Sequence, residues 1–333
     1  MHQHTPPPMK YPIVLLRRRL GMMLRLMGFW CLLGMSWTPA QGSAVYLPMV
    51  RTYSPPVVRT TVPMIALASA TQGILLVAPD APALIPLTPS GYSPSWSPDA
   101  QRFVYYTFDR GTFLTTVYVR DLHRNTTIPI LTGVRVGSLA WSPDGTRIAF
   151  SLIGATSEFY TYLFTMHPDG TNIQQLTTTG RDYDPNWSPD STQIVFRSAR
   201  AGLSGLYVMQ ADGTNQRHLA QSQSGDLHPA WSPDGQQIAF IGYWGSSYAL
   251  TSINADGSGR KRLAPAPFEA YYDSTVSWSP DGRRIAYVGI YTDQDGRAGI
   301  LNILNLDGSG NDQHGLGVYD VVSVAWAARP PPH

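Results

Sequence analysis

Four aspartates lie at nearly the same distance before four successive tryptophans. Asp182, Asp226 and Asp273 each precede a tryptophan by five residues, and Asp320 precedes the next one by six. Carboxylates that converge on one point repel one another, which raises their pKa values unless a cation or a basic group binds between them. The spacing therefore predicts a site for a divalent cation or a basic ligand. The alternative is that each aspartate only begins a strand in a polar, water-filled channel.

Other side chains near these aspartates could also bind a ligand. Those in the same segments are Tyr183, Asp184, Tyr272 and His228. A second, more weakly indicated group of aromatics comprises Tyr160, Tyr243, Trp244 and Tyr248. Exposed aromatics anchor protein partners or stack on sugars, although they can equally cover the rim of a packed sheet.

No catalytic motif accompanies these residues. The chain contains no Gly-x-Ser-x-Gly elbow, no His-Glu-x-x-His motif, no phosphate loop and no dinucleotide fingerprint. Two glutamates are a poor supply for paired-carboxylate glycosidase chemistry. We therefore expect a protein that is not an enzyme and needs no cofactor beyond a possible divalent cation. The alternative is a lyase or hydrolase that acts on polysaccharide through the same Asp, Tyr and His residues.

The tryptophans themselves belong to an internal repeat. Five copies of Trp-Ser-Pro-Asp begin at Trp96, Trp141, Trp187, Trp231 and Trp278, and a degenerate sixth copy contains Trp326. Successive tryptophans are 44 to 48 residues apart, which is the length of a four-stranded propeller blade. The repeat thus predicts blades whose innermost strand ends at the tryptophan.

Each repeat unit contains the turns that such a blade needs. Ser-Pro-Asp-Gly fits a type I turn between the innermost strand, A, and the next strand, B. An Asp-Gly pair then joins strands C and D. Ala100 and Ser191 replace the turn glycine in two copies, at a cost of about 1 kcal/mol each if the position is left-handed.

The two ends of the repeat region complement each other. The segment from Met64 supplies strands B, C and D without a tryptophan strand, whereas residues 318–327 supply a strand A alone. Pairing them completes a sixth blade and leaves no open sheet edge. We predict an all-β, six-bladed propeller of four-stranded antiparallel blades over residues 61–329, followed by a tail at 330–333. The D–A and B–C loops then share one face, where the aspartates surround the axial channel.

The N-terminal segment has the order of a secretory signal. Basic residues at 17–19 and 25 precede an apolar run at 26–37, and small residues follow. We expect a targeting segment at 1–44, a Pro-rich linker at 45–60, and a periplasmic or extracellular protein with no stable membrane span after cleavage. An uncleaved anchor is the competing interpretation. Because five of the 24 basic residues lie in this segment, the rest of the chain has 19 against 22 acidic residues, which argues against a nucleic-acid partner.

The repeat motif also resembles a known family. WSPDG-x-x-IAF followed by LYVM-x-x-DG-T-N is similar to the TolB-type, WD-repeat-like six-bladed propellers of exported bacterial proteins, and the similarity covers residues 61–329. The matching residues are structural, so the resemblance implies the fold more strongly than the function. The expected function is binding of a protein partner, or of a small or carbohydrate ligand, on the D–A/B–C face.

Overall fold

The computed structural model describes residues 64–79, 84–154, 160–200, 205–219, 222–223, 225–245, 247–264, 275–293, 296–314 and 321–327. In these ranges 24 strands form six four-stranded antiparallel sheets. The predicted all-β, six-bladed propeller is confirmed. No helix in these ranges has the length and apolar character needed to cross a membrane.

The blades are numbered in chain order, with strands A to D running from the axis outward. Blade 1 contains β4 (Tyr92–Trp96), β5 (Arg102–Asp109), β6 (Leu114–Asp121) and β7 (Thr126–Val134). Blade 2 contains β8 (Val136–Trp141), β9 (Ile148–Ile153), β10 (Thr161–Met166) and β11 (Gln174–Gln175). Blade 3 contains β12 (Asp182–Trp187), β13 (Gln193–Ser198), β14 (Gly205–Gln210) and β15 (Arg217–His218).

The remaining blades follow the same order. Blade 4 contains β16 (Leu227–Trp231), β17 (Gln237–Tyr243), β18 (Tyr248–Asn254) and β19 (Lys261–Ala264). Blade 5 contains β20 (Val276–Trp278), β21 (Arg284–Asp293), β22 (Gly296–Asn305) and β23 (Gly310–His314). Blade 6 takes strand A from β24 (Val321–Trp326) and the others from β1 (Ile65–Ser69), β2 (Gly73–Val77) and β3 (Leu84–Thr88).

Blade 6 closes the ring as the sequence predicts. β24 pairs antiparallel with β1, with Trp326 opposite Ile65, and the Ala327 amide donates a 2.8 Å hydrogen bond to the Met64 carbonyl. Each of the six A strands contacts the A strand of the next blade, so that they surround one axis. The A–B and C–D turns lie at one end of the axis, the turn face, and the D–A and B–C loops lie at the other, the mouth face.

The A–B turns hold their shape through the serine and aspartate of the repeat. In blade 4, Ser232 Oγ donates a 2.6 Å hydrogen bond to Asp234 Oδ1 and accepts one from the Gln237 amide. The hydrogen bonds that Asp234 accepts from Ser232 Oγ and from the Gln236 amide lower the pKa of its carboxyl, the one from Ser232 most strongly. Ala100 and Ser191, which replace the turn glycine, have φ angles of 54° and 59°, so both positions are left-handed.

The six tryptophans of the repeat are core residues, each at most 9% exposed. Three of them are also covered, in a cation–π contact, by an arginine of the preceding blade that begins strand B or directly precedes it. The pairs are Arg102 on Trp141 at 5.3 Å, Arg147 on Trp187 at 4.6 Å and Arg284 on Trp326 at 5.0 Å from the ring centroid. The repeated residues thus hold neighbouring blades together.

Two kinds of hydrogen bond alternate around the ring where one strand A meets the next. In the first kind, the residue before the tryptophan of one blade accepts a hydrogen bond, through its side-chain oxygen, from the backbone amide of the tryptophan in the next blade. These pairs are Ser95 with Trp141, Asn186 with Trp231 and Ser277 with Trp326. In the second kind, the backbone carbonyl of an alanine accepts a hydrogen bond from the indole Nε1 of the tryptophan in the next blade. These pairs are Ala140 with Trp187, Ala230 with Trp278 and Ala325 with Trp96.

Candidate functional site

A cavity of about 480 Å³ occupies the axis between the A strands. At the turn face it reaches the prolines of the Ser-Pro-Asp turns, and at the mouth face it reaches the residues three positions before each tryptophan. Those six residues are Ser93, Ser138, Asp184, His228, Thr275 and Ser323. The described lining of the cavity is therefore polar at the mouth and carries its ionisable groups, Asp184 and His228, on one side.

Proline-containing bulges place three of these side chains at the mouth. Ser93, Asp184 and His228 are each followed by proline and have φ angles of 50°, 54° and 52°. The A–B pairing shifts register at the same positions. A bulge redirects a side chain, and non-glycine residues in left-handed conformations carry strain of about 1–3 kcal/mol that concentrates at functional sites. The proline-containing bulges thus bend strand A at the point where the cavity opens.

Asp184 and His228 form a pair that spans blades 3 and 4. Asp184 Oδ2 lies 3.3 Å from His228 Nδ1 and 3.5 Å from Arg197 Nε, and the Arg197 guanidinium stacks 4.3 Å from the Tyr183 ring. Burial opposes ionisation of Asp184, but His228 and Arg197 outweigh it and lower the pKa of the carboxyl. His228 is 8% exposed, and its Nε2 has no hydrogen-bond partner among the described residues.

Asp182 does not face the channel, although its sequence offset predicts that it should. Its side chain is fully buried in blade 3. Oδ1 accepts a 2.6 Å hydrogen bond from Ser198 Oγ and lies 2.8 Å from Arg200 Nη2. Arg200 in turn stacks on the rings of Phe196 and Tyr207. The carboxylate is neutralised within its own blade.

Asp226 occupies the equivalent position in blade 4 and is held more completely. Arg260 contacts both carboxylate oxygens, at 2.5 Å and 2.9 Å, and lies between the rings of Phe240 and Trp244. The backbone amides of Gln223 and Tyr243 also donate to this carboxylate. The expected convergence of Asp182 and Asp226 on the channel is therefore wrong, because each pairs with an arginine inside its blade.

The other members of the predicted mouth group lie outside the described residues. These are Tyr272, Asp273 and Asp320. Among the described residues, no group of three or more His, Cys, Asp or Glu side chains is placed to hold a metal ion. A divalent cation at the mouth stays a prediction.

The predicted aromatic rim has two parts. In blade 4, Trp244 covers Arg260 and donates from Nε1 to Thr251 Oγ1 at 2.9 Å, and the Tyr243 ring lies 5.2 Å from that of Tyr248. These contacts give the blade 4 aromatics a structural role. Tyr160 in blade 2 is 50% exposed and stacks 6.5 Å from Tyr162.

Sequence reasoning missed the bulges and the arginine partners. The bulges have a signal in the segments YSPSW, YDPNW and LHPAW, where a proline stands two residues before the tryptophan. The arginines have no comparable signal, because Arg200 and Arg260 lie 18 and 34 residues beyond their aspartates.

With this geometry established, comparison with known proteins identifies the family. The family model described as the TolB beta propeller domain matches residues 87–329. The chain belongs to the TolB β-propeller family. The Tol-Pal system protein TolB of Bordetella pertussis and that of Bordetella bronchiseptica are each 30% identical to this chain over 124 residues, which are 36% of this chain and 27% of theirs. The match thus spans about a quarter of these relatives.

Solved structures share the fold of this TolB-family propeller. TolB from Acinetobacter baumannii has a TM-score of 0.67 at 22% identity, over 80% of this chain and 66% of that one. A putative TolB from Agrobacterium tumefaciens has a TM-score of 0.60 at 17% identity, over 80% of this chain and 99% of that one. An oligogalacturonate lyase in complex with manganese has a TM-score of 0.53 at 17% identity, over 72% of this chain and 73% of that one. At these identities the likeness shows the fold alone.

Proposed function

We propose that this protein is an exported, non-catalytic propeller that binds a segment of a protein partner at the mouth of its axial channel. Membership of the TolB β-propeller family supports this proposal, as does the likeness to curated relatives named Tol-Pal system proteins. A closed ring of blades is a rigid platform, and its mouth-face loops can vary without disturbing the turns that hold the blades.

The observation that carries the proposal is the pair of bulges that bring Asp184 and His228 together at the mouth. A structural ion pair could form without two left-handed, non-glycine residues in adjacent strands. Here the strained backbone places an acid and an imidazole beside an open cavity. Such strain persists only where the surrounding structure enforces it, and it is found mainly at binding and catalytic sites.

The dimensions and charge of the site favour a particular class of ligand. A volume of about 480 Å³ lies within the usual 300–1,000 Å³ range of ligand pockets, so the cavity takes an extended segment and excludes a folded domain. Asp184 offers a carboxylate whose pKa is lowered. A segment that inserts a basic or hydrogen-bond-donating side chain therefore fits best.

Affinity capture from the envelope and culture supernatant of the native host tests this role. The immobilised propeller should retain a partner that the double variant Asp184→Asn/His228→Gln releases. Leu306→Ser, an exposed apolar residue next to a turn-face loop, is the matched control and should retain it. Equal retention by all three proteins would place the contact elsewhere.

Export is tested separately, since the leader lies outside the described residues. N-terminal sequencing of protein from the native host should give a start between about residues 41 and 46, after the small-residue segment. A cytoplasmic product that keeps its first residues would contradict export.

The enzyme alternative, a lyase or hydrolase that uses the axial Asp, Tyr and His residues on polysaccharide, can be tested on the substrate class of a protein with the same fold, the oligogalacturonate lyase in complex with manganese. It predicts release of unsaturated oligosaccharides from oligogalacturonate in the presence of manganese. It also predicts that manganese or calcium raises the melting temperature. No turnover and no thermal shift would leave binding as the function.

A further inference from the structure

Two junctions between blades show what the fold requires three positions before the tryptophan. Where blade 1 meets blade 2, Ser93 Oγ accepts a 3.1 Å hydrogen bond from the Leu139 amide. Where blade 5 meets blade 6, Thr275 Oγ1 accepts a 2.7 Å hydrogen bond from the Val324 amide. In both cases a hydroxyl of one A strand is joined to a backbone amide of the next. The fold therefore needs only a hydroxyl and an amide at this position.

The junction between blades 3 and 4 departs from this pattern on both sides. Blade 3 has Asp184 in place of the hydroxyl residue, and blade 4 has Pro229 in place of the residue that donates. Because proline has no N–H, the hydrogen bond of the other two junctions cannot form here. Asp184 lies instead against the His228 imidazole, with 3.3 Å between Oδ2 and Nδ1. The acid and the imidazole are thus additions to the repeat that the fold does not require.

The contact with Asp184 fixes the tautomer of His228. A carboxylate oxygen only accepts, so Nδ1 carries the hydrogen and Nε2 of the neutral ring is an acceptor. His228 lines the axial cavity and is 8% exposed, and Nε2 has no hydrogen-bond partner in the described part of the chain. A buried acceptor without a partner is costly. A ligand that brings a donor to Nε2 removes this cost.

A second unpartnered polar atom lies across the axis. Ser323 of blade 6 also lines the cavity and is 5% exposed, and its Oγ has no hydrogen-bond partner among the described residues. In a ring of six blades, blade 6 is opposite blade 3, which carries Asp184. The carboxylate, the imidazole nitrogen and the hydroxyl oxygen can therefore accept from one group on the axis.

The charge of the cavity lining favours a cation. Arg197 Nε lies 3.5 Å from Asp184 Oδ2, but its guanidinium stacks on Tyr183 and is not among the described lining residues of the cavity. Oδ2 already faces both Arg197 and His228, so a ligand cannot take both carboxylate oxygens in the way that a guanidinium prefers. An ammonium is a compact charge with three donors and needs only one of the two oxygens.

We propose that the axial mouth binds a primary ammonium group, held by the Asp184 carboxylate, His228 Nε2 and Ser323 Oγ. The inference rests on the proposed function, since the inserted segment of the partner would carry the ammonium. Its two possible sources are a lysine side chain and the N-terminal amine of the partner. Three acceptors from blades 3, 4 and 6 match the three N–H groups of an ammonium.

Nuclear magnetic resonance of the full chain tests the site with n-butylammonium chloride as the probe, at constant ionic strength. The His228 ring resonances, assigned by their loss in His228→Gln, should shift saturably with a dissociation constant on the order of 10 mM. Butylguanidinium should bind about tenfold more weakly, and 1-butanol, which lacks the charge, should give no saturable shift. Absence of a saturable response to butylammonium overturns the proposal, and equal binding of butylguanidinium overturns its selectivity for ammonium.

The repeat itself supplies the matched variant. Asp184→Ser/His228→Ser/Pro229→Val rebuilds the hydroxyl–amide junction found at Thr275 and Val324. This variant should keep the wild-type melting temperature or exceed it, and saturation-transfer measurements on the ligand should show butylammonium binding weakened about tenfold or more. Leu306→Ser, on the turn-face side of blade 5, should bind as the wild type does. Wild-type affinity in the rebuilt junction overturns the proposal.

Single substitutions keep the test valid if the triple variant does not fold. Asp184→Asn removes the charge and Ser323→Ala removes the hydroxyl, so each should weaken butylammonium binding by about threefold or more. Circular dichroism confirms that each variant is folded. Unchanged affinity in both single variants overturns the assignment of these acceptors.

Two further probes identify the source of the ammonium. Nα-acetyl-lysine N-methylamide carries only a side-chain ammonium, and alanine N-methylamide carries only an α-ammonium, so the tighter binder names the source. Affinity capture separates this inference from the proposed function. A captured partner with no binding of any amine probe overturns the inference and leaves the proposed function intact. Amine binding with no captured partner supports the ammonium site and counts against the proposed function.

Discussion

Asp226 is a fully buried carboxylate held by one arginine, two backbone amides and the Ser222 hydroxyl. Asp226→Asn removes the charge and leaves Arg260 buried without its counter-ion. Breaking a buried pair in this way costs about 3–5 kcal/mol. We expect a loss of that size in the free energy of unfolding, measured by urea denaturation. An aspartate that merely repelled its neighbours in a channel would give an unchanged or more stable variant.

Trp187 and Trp231 form a matched pair for measuring the contribution of the indole hydrogen bond. Trp187 Nε1 donates to the Ala140 carbonyl at 3.1 Å, whereas Trp231 Nε1 is buried without a hydrogen-bond partner in the described structure. Trp187→Phe and Trp231→Phe lose the same volume, but only the first also loses an indole hydrogen bond. Trp187→Phe should therefore be more destabilising by about 0.5–1.5 kcal/mol. Equal losses in chemical denaturation would show that the hydrogen bond contributes nothing.

Asp184 should make stability depend on pH in the acid range. Its folded-state pKa is lowered by His228 and Arg197 despite burial, so its contribution is present above the ordinary aspartate pKa of about 3.9. The contribution is lost as the pH falls through the lower folded-state value. Wild type should thus be more stable than Asp184→Asn at pH 6, and the difference should shrink below about pH 4. A difference that stays constant from pH 6 to about pH 3 would contradict this assignment.

At the scale of single elements, the A–B turns of blades 1 and 3 carry measurable strain. Ala100 occupies the left-handed glycine position without a side-chain hydrogen bond, so Ala100→Gly should stabilise the protein by about 1 kcal/mol. Ser191 has the same conformation, but its Oγ accepts a hydrogen bond from the Asp144 amide of blade 2. Ser191→Gly loses that bond and should change stability little. Thermal melts of both variants provide the comparison, and equal stabilisation would show that the inter-blade hydrogen bond is unimportant.

The strands and turns could be predicted from sequence because their determinants are local. Ser232, Asp234 and Gly235 form one turn within four residues, and Trp231 precedes it directly. The site was harder to predict because its determinants are not local. Asp184 and His228 meet across two blades, and whether Asp182 points to the channel or into its blade depends on a bulge two residues later.

For the whole molecule, closure of blade 6 predicts the effect of truncation. Removing residues 318–333 deletes β24 and exposes the edge of β1, along with the cluster that Val324 and Trp326 cover. We expect an insoluble product or a broad, poorly cooperative melt. Removing residues 1–60 instead should leave the melting temperature unchanged. A soluble C-terminal truncation with the wild-type melting temperature would contradict closure by β24.

The hydrogen bond between Ala327 and Met64 also bears on chain order. These residues are neighbours on the turn face, so a short peptide can join them into a continuous A–B turn. New termini could then be opened at another A–B turn, for example between Asp144 and Gly145, where β8 and β9 would take over the roles of β24 and β1. Circular permutation by one or more blades should therefore yield the same propeller, in which no blade is intrinsically first and the order of the repeats in the gene can rotate while the fold stays the same.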